Sequence, residues 1–209
     1  MQPDTDIVGL LDIQATFMPG GELPVADGHA VVPVVNRLLA HFVHAFATQD
    51  WHPPGHYSFA STHPGKAPFE VLGGQTLWPD HALAGSPNAA IHAAIDSTKI
   101  EVVIRKGFRP SLDSYSAFFE NDRTTATGLD GWLRQRGFKR IFFTGLATDF
   151  CVGWSAQDAL RLGYEVVLIE DACRGIGIPT TPGRTTIDDM KDKLSTLGCR
   201  FVTSTDLAV

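Results

Sequence analysis

Six short runs along the chain are almost continuously apolar and often β-branched: Ile7–Ile13, Phe42–Thr48, Ile100–Arg105, Ile141–Leu146, Glu165–Ile169 and Arg200–Thr203. Between them, apolar positions recur at helical spacing over His29–His41, Asp122–Arg136, Cys151–Leu162 and Gly183–Leu197. A strand without polar alternation is one buried on both faces. Such strands alternating with helices imply a parallel sheet covered by helices. The pattern predicts an α/β fold: a single doubly wound domain over residues 1–209, with a central, mostly parallel six-stranded sheet and helices on both faces. One long stretch, Pro53–Gly85, lies outside the pattern and is rich in Pro, Gly, His and Ser. A segment of that length in a compact domain is usually functional or disordered, and here it is expected to carry part of a site or a lid.

Composition narrows the classes. The 209 residues are 44% hydrophobic and 19% charged, ordinary values for a globular protein able to bury a sizeable core. A formal net charge of −6 gives no basic footprint for nucleic acid. The opening stretch, MQPDTDIVGLLDIQ, has neither a basic region nor a long apolar core, and no later run is long enough to span a membrane. Neither a secretory signal nor a membrane partner is expected. Three cysteines, Cys151, Cys173 and Cys199, are odd in number and lack CxxC spacing. That argues against a disulfide framework and for a reducing compartment, the cytoplasm.

The strand assignments bring candidate chemistry together. Asp12 closes the first strand, Asp50 and His52 follow the second, Lys106 follows the third, and Cys151 follows the fourth after a short turn. In open parallel sheets, ligands bind outside the carboxyl ends of the strands, so these residues are expected at one edge. Cys151 stands where a helix should begin. There the unpaired backbone N–H groups favour a thiolate and can hold an oxyanion; a free cysteine is otherwise commonly just a small buried hydrophobe. Cysteine hydrolases often pair the thiol with histidine. None of the eight histidines stands alone at a strand end, which leaves Asp12 as the alternative base, with Lys106 to orient it. In DWHPPGH, Asp50 and His52 leave a strand, with His56 and the later His81 nearby. Carboxylate plus imidazole suits Zn²⁺, Fe²⁺ or Mn²⁺ better than Ca²⁺ or Mg²⁺, although a His-rich surface loop would look the same. Phe17, Trp78 and Tyr115 lie near these motifs and could wall a flat substrate.

Taken in order, LLDIQATFMPGGELPV, DWHPPGHYSF, LWPDHAL, KGFRPSLDSYSAFF, TGLATDFCV and DACRGI resemble the nicotinamidases, a family of the isochorismatase-like cysteine hydrolases, from Leu10 to Ile176. The resemblance implies a catalytic triad of Asp12, Lys106 and Cys151, and one divalent transition metal, Zn, Fe or Mn, on Asp50, His52 and His81. His56 matches a further ligand that varies within the family. It implies ring-stacking walls at Phe17 and Trp78 and a pocket residue at Tyr115. It also implies a cis peptide before Ala147, whose N–H with that of Cys151 would receive the oxyanion. The activity implied is hydrolysis of nicotinamide to nicotinate and ammonia through a thioester, within NAD salvage, and deamination of pyrazinamide as well. The alternative is another amidase of the superfamily, acting on a carbamoyl or ureido substrate. The superfamily supplies both monomers and larger assemblies, so a homo-oligomer remains open.

Overall fold

A computed structural model describes residues 2–207. Six strands form one sheet in the order β5-β2-β1-β6-β7-β8, and every neighbouring pair in it is parallel. The strands are β1 (Asp6–Leu11), β2 (Ala45–Asp50), β5 (Val102–Lys106), β6 (Arg140–Leu146), β7 (Glu165–Arg174) and β8 (Arg200–Val202). A separate two-stranded hairpin, β3 (Val71–Leu72) with β4 (Gln75–Thr76), lies within the long segment 53–85.

Alternate residues of the central strands face two cores. Val8, Leu10, Ala45, Ala47 and Phe142 pack with α1 (Val31–His41) on one face. Ile7, Leu11, Phe46, Ile141 and Phe143 pack on the other. That second face is covered by α2 (Leu129–Arg136), α3 (Gly153–Arg161) and α4 (Thr186–Thr196). Helices thus cover both faces, as the doubly apolar strands require. From β1 the chain runs outward to β2 and β5, then crosses back to build β6, β7 and β8 on the other side of β1. The strand order reverses between β1 and β6, and that crevice is where open α/β sheets bind ligands.

All six expected strands are present, with shifted ends. The run beginning at Phe42 starts its strand only at Ala45, because Phe42 caps α1 through its N–H to the Leu38 carbonyl. The helix expected from Asp122 begins only at Leu129. The Asp122 carboxylate instead accepts the Thr124 and Thr125 N–H groups and the Thr125 hydroxyl, a local turn that competes with helix. The turn before Cys151 is already helical: a π-type turn, Thr148–Val152, leads into α3.

Candidate active site

The carboxyl ends of β1, β2, β5 and β6 deliver the site. Asp12 directly follows β1, with its backbone in the left-handed region at φ 46°. Thr48, in β2, holds it twice: its Oγ1 accepts the Asp12 N–H at 3.1 Å and donates to Asp12 Oδ1 at 2.5 Å. Asp50 ends β2 and Lys106 ends β5, paired side by side in the sheet register. Gln14 fixes Asp50 through its backbone, accepting its N–H at 2.8 Å and donating to its carbonyl at 2.9 Å.

Lys106 is the hub. It is wholly buried, and its Nζ lies 2.7 Å from Asp12 Oδ2, against Asp50 Oδ1, 3.0 Å from the Ser114 carbonyl and 3.3 Å from Cys151 Sγ. Burial works against its charge, but Asp12, Asp50 and Cys151 together hold its pKa well above the ordinary value. Burial likewise opposes ionisation of Asp50, yet Lys106 and His52 keep that carboxyl well below the usual range. Asp12 goes the other way. Burial raises its pKa, and the pull of Lys106 does not cancel it. Its Oδ2 makes no aligned hydrogen bond, so a lone pair remains for a proton. Asp12, Asp50 and Cys151 each offer an atom within 4.8 Å of the others.

Cys151 sits in the helical turn after β6, and the Leu146–Ala147 peptide before that turn is cis. The expectation that the helix start favours a thiolate is corrected here. Burial pushes the Cys151 thiol well above its ordinary pKa, and the nearby Lys106 charge does not offset it. The resting nucleophile is a neutral thiol that needs a base, and the raised Asp12 is the base within reach.

A second cluster joins the first through Asp50. Asp50, His52 and His81 offer ligand atoms within 4.8 Å of one another, all from buried side chains. His52 donates from Nδ1 to the Gly107 carbonyl at 2.8 Å, and His81 from Nδ1 to the Pro79 carbonyl at 2.8 Å. The Nε2 atoms of both rings face Asp50 Oδ2, at 3.5 and 3.6 Å. Backbone carbonyls that fix the tautomer in this way are the usual outer support of metal-binding histidines, so the donor set fits a divalent transition ion. Gly107 is part of the support. Its φ is +66°, and a Cβ there would come within 2.4 Å of the His52 ring. His56 stacks on His52 with ring centroids 4.4 Å apart but clusters with His52 and Asp113 rather than with Asp50 and His81. Its Nδ1 meets the Ser58 hydroxyl at 2.8 Å and accepts the Ser58 N–H at 3.3 Å, while its Nε2 points at the Leu112 carbonyl.

The two clusters open into one cavity. Cys151 and Ala147 lie on its lining, as do Asp50 and His81. Phe17, Trp78 and Tyr115 form walls, together with Leu23, Asp113, Phe150 and Ile176. Trp78, Tyr115 and Phe150 meet edge to face, with centroids 5.0 to 6.2 Å apart. Of the residues expected at the site from sequence, seven line this cavity; Asp12, Lys106 and His52 stand behind Cys151 and Asp50, and His56 stands behind His52. The sequence reading missed Thr48, Gln14, Asp113, Phe150, Leu23 and Ile176. A polar Thr48 inside an apolar strand run, and Phe150 next to the cysteine, were available signals; Leu23 and Ile176 come from loops without periodicity, although both fall within motifs that carry the family resemblance.

An isochorismatase domain model matches residues 7–198. A nicotinamidase of Acinetobacter baylyi is 46% identical over 171 residues, 80% of each chain. The structure of a nicotinamidase/pyrazinamidase of Acinetobacter baumanii superposes with a TM-score of 0.93 at 42% identity, covering 99% of this chain and 100% of that one. A pyrazinamidase of Pyrococcus horikoshii, solved in complex with zinc, superposes at 0.76 with 31% identity, covering 95% of this chain and 98% of that one. With the fold, the switch-point site and these matches in agreement, the chain belongs to the isochorismatase family and, within it, to the nicotinamidases.

Proposed function

We propose that the chain hydrolyses nicotinamide to nicotinate and ammonia, as a step of NAD salvage, and that the same pocket deaminates pyrazinamide. The observation that carries this reading is the union, at one aromatic-walled cavity, of a thiol–carboxylate–ammonium unit and an adjoining Asp-His-His donor set that share Asp50. A flat heteroaromatic amide has a use for both.

Asp12 accepts the Cys151 thiol proton as sulfur attacks the carboxamide carbon. Lys106, 3.3 Å from that sulfur, stabilises the developing negative charge. The amide oxygen becomes an oxyanion, received by the N–H groups of Ala147 and Cys151. Asp12 returns its proton to the amide nitrogen, the C–N bond breaks, and ammonia leaves a Cys151 thioester. Water then enters and gives a proton to Asp12 as its oxygen attacks the thioester carbon. The C–S bond breaks as Asp12 gives that proton to the sulfur, and nicotinic acid departs, losing its remaining proton to solvent as nicotinate. Asp50, His52 and His81 would hold a divalent transition ion, which would supply a Lewis-acid contact for the ring nitrogen, directly or through water. The segment 53–85 acts as the cover. It contributes Trp78 and His81 to the cavity, and Gln75 of β4 fastens it by donating to Asp113 Oδ2 at 2.7 Å and to the Tyr115 hydroxyl at 3.0 Å. A reducing cytoplasm would keep the nucleophilic thiol free.

The test is ammonia release by the purified protein from nicotinamide, beside ureido and carbamoyl substrates of similar size. Turnover of nicotinamide well above the others is expected. Inactivity on nicotinamide with activity on a ureido substrate would overturn the reading.

A further inference from the structure

Asp149 lies two residues before Cys151 and is buried, yet the mechanism does not use it. A buried carboxylate needs partners, and those of Asp149 all come from a distant segment. Its Oδ1 accepts the Ile176 N–H at 2.9 Å, and its Oδ2 accepts the Gly177 N–H at 2.9 Å and the Thr186 hydroxyl. The approach is too close for a side chain at position 175. A Cβ on Gly175 would stand 2.6 Å from the Ile187 side chain and 3.0 Å from Asp149 Oδ1. Among the described residues that line the cavity, Ile176 is the one drawn from beyond Cys151.

We propose that Ile176 sets which ring substituents the pocket accepts, and that Asp149 is the positioning residue that holds Ile176 in the wall. The inference rests on the amide-hydrolase reading above and deepens it. The other walls have little freedom. Trp78, Tyr115 and Phe150 brace one another edge to face, and the nucleophile and donor-set ends are tied by charge. Ile176 is aliphatic, half-buried and mounted on a loop whose tether to the nucleophile turn is this one carboxylate with its hydrogen bonds. A change there alters the room beside the ring without touching a reacting group.

The test measures kcat and KM for nicotinamide and for its ring-methylated isomers with wild type, Ile176→Ala, Thr186→Val and Asp149→Asn. Ile176→Ala is expected to raise kcat/KM for at least one methylated isomer relative to nicotinamide by roughly tenfold or more, the scale of one methylene in an apolar pocket, mainly through KM. Thr186→Val and Asp149→Asn should shift the same isomer in the same direction, by less. Thr186→Val removes the hydroxyl that donates to Asp149 and accepts the Ile178 N–H but leaves the carboxylate in place, so it serves even if Asp149→Asn does not fold. Unchanged isomer ratios in Ile176→Ala would overturn the role of the wall. A shift in Ile176→Ala with none in Thr186→Val or folded Asp149→Asn would overturn the role of Asp149. Protection of Cys151 from iodoacetamide by the same pyridine carboxamides gives the ratios without turnover. A wild type that binds them but releases no ammonia would thus count against the amidase reading and not against the wall.

Discussion

Lys106 explains why three acid–base groups can share so small a volume. Its ammonium, wholly buried, stands between Asp12, Asp50 and Cys151 and keeps Asp50 ionised. Burial then sets the other two: the thiol is held protonated and Asp12 becomes a stronger base than a surface aspartate. Cys151→Ala should abolish ammonia release while leaving the denaturation midpoint nearly unchanged. Cys173→Ala should retain most activity, since burial pushes the Cys173 thiol up to about 12 and it faces no pocket base. Peptide mapping after limited iodoacetamide treatment should place the first adduct on Cys151. The sign of the pH dependence also follows. Asp12 must be deprotonated to act, and its pKa is raised, so kcat/KM should fall as pH drops through a value above the ordinary aspartate figure of 3.8. An acid limb at or below that figure in the pH–rate profile would mean that Asp12 is not the base.

At the scale of elements, the strands carry the chemistry and the helices carry the stability. Thr48 and Asp50 lie two apart on β2, so both side chains project from the same face. One grips Asp12 while the other faces Lys106 and the histidines. The helices work through burial. Leu38 of α1 is wholly buried in the core on its face, so Leu38→Ala should cost about 2–5 kcal/mol. Thr185 and Asp188 form a reciprocal capping box at the start of α4, and Thr185→Ala should cost about 1 kcal/mol. Urea denaturation of the two variants beside wild type checks the order: Leu38→Ala should lower the midpoint clearly more.

For the whole molecule, a donor set that shares Asp50 with the acid–base cluster but is distinct from Cys151 and Asp12 makes metal removal informative. Chelation should weaken nicotinamide binding and turnover together. It should leave alkylation of Cys151 largely intact, because Asp12 and Lys106 are held by protein contacts alone. Benzamide, which lacks the ring nitrogen, should be a much poorer substrate of the loaded enzyme and lose much less on chelation, since a polar site discriminates against an analogue that leaves it unpaired. Equal losses for the two amides would assign the ion to the reacting amide or to water instead. Among the described residues, no helix is long and apolar enough to cross a membrane.

The sequence by itself determined the sheet, the strands that build it and most of the site. Short runs apolar on both sides that alternate with helical patterns read as doubly covered parallel strands, and polar residues just after such runs gather at one edge. Asp12, Asp50, His52, Lys106 and Cys151 were legible for that reason, and the motifs around them carried the family resemblance. The tertiary structure alone decided what depends on distance and on exclusion of water. It buried the Cys151 thiol deeply enough to outweigh the pull of the helix start, directed the His56 nitrogens to Ser58 and Leu112, and brought Leu23 and Ile176 to the cavity from loops with no periodic signal. Loop side chains and pKa values follow from which groups pack together across the chain, and no local pattern of hydrophobic and polar positions encodes that packing.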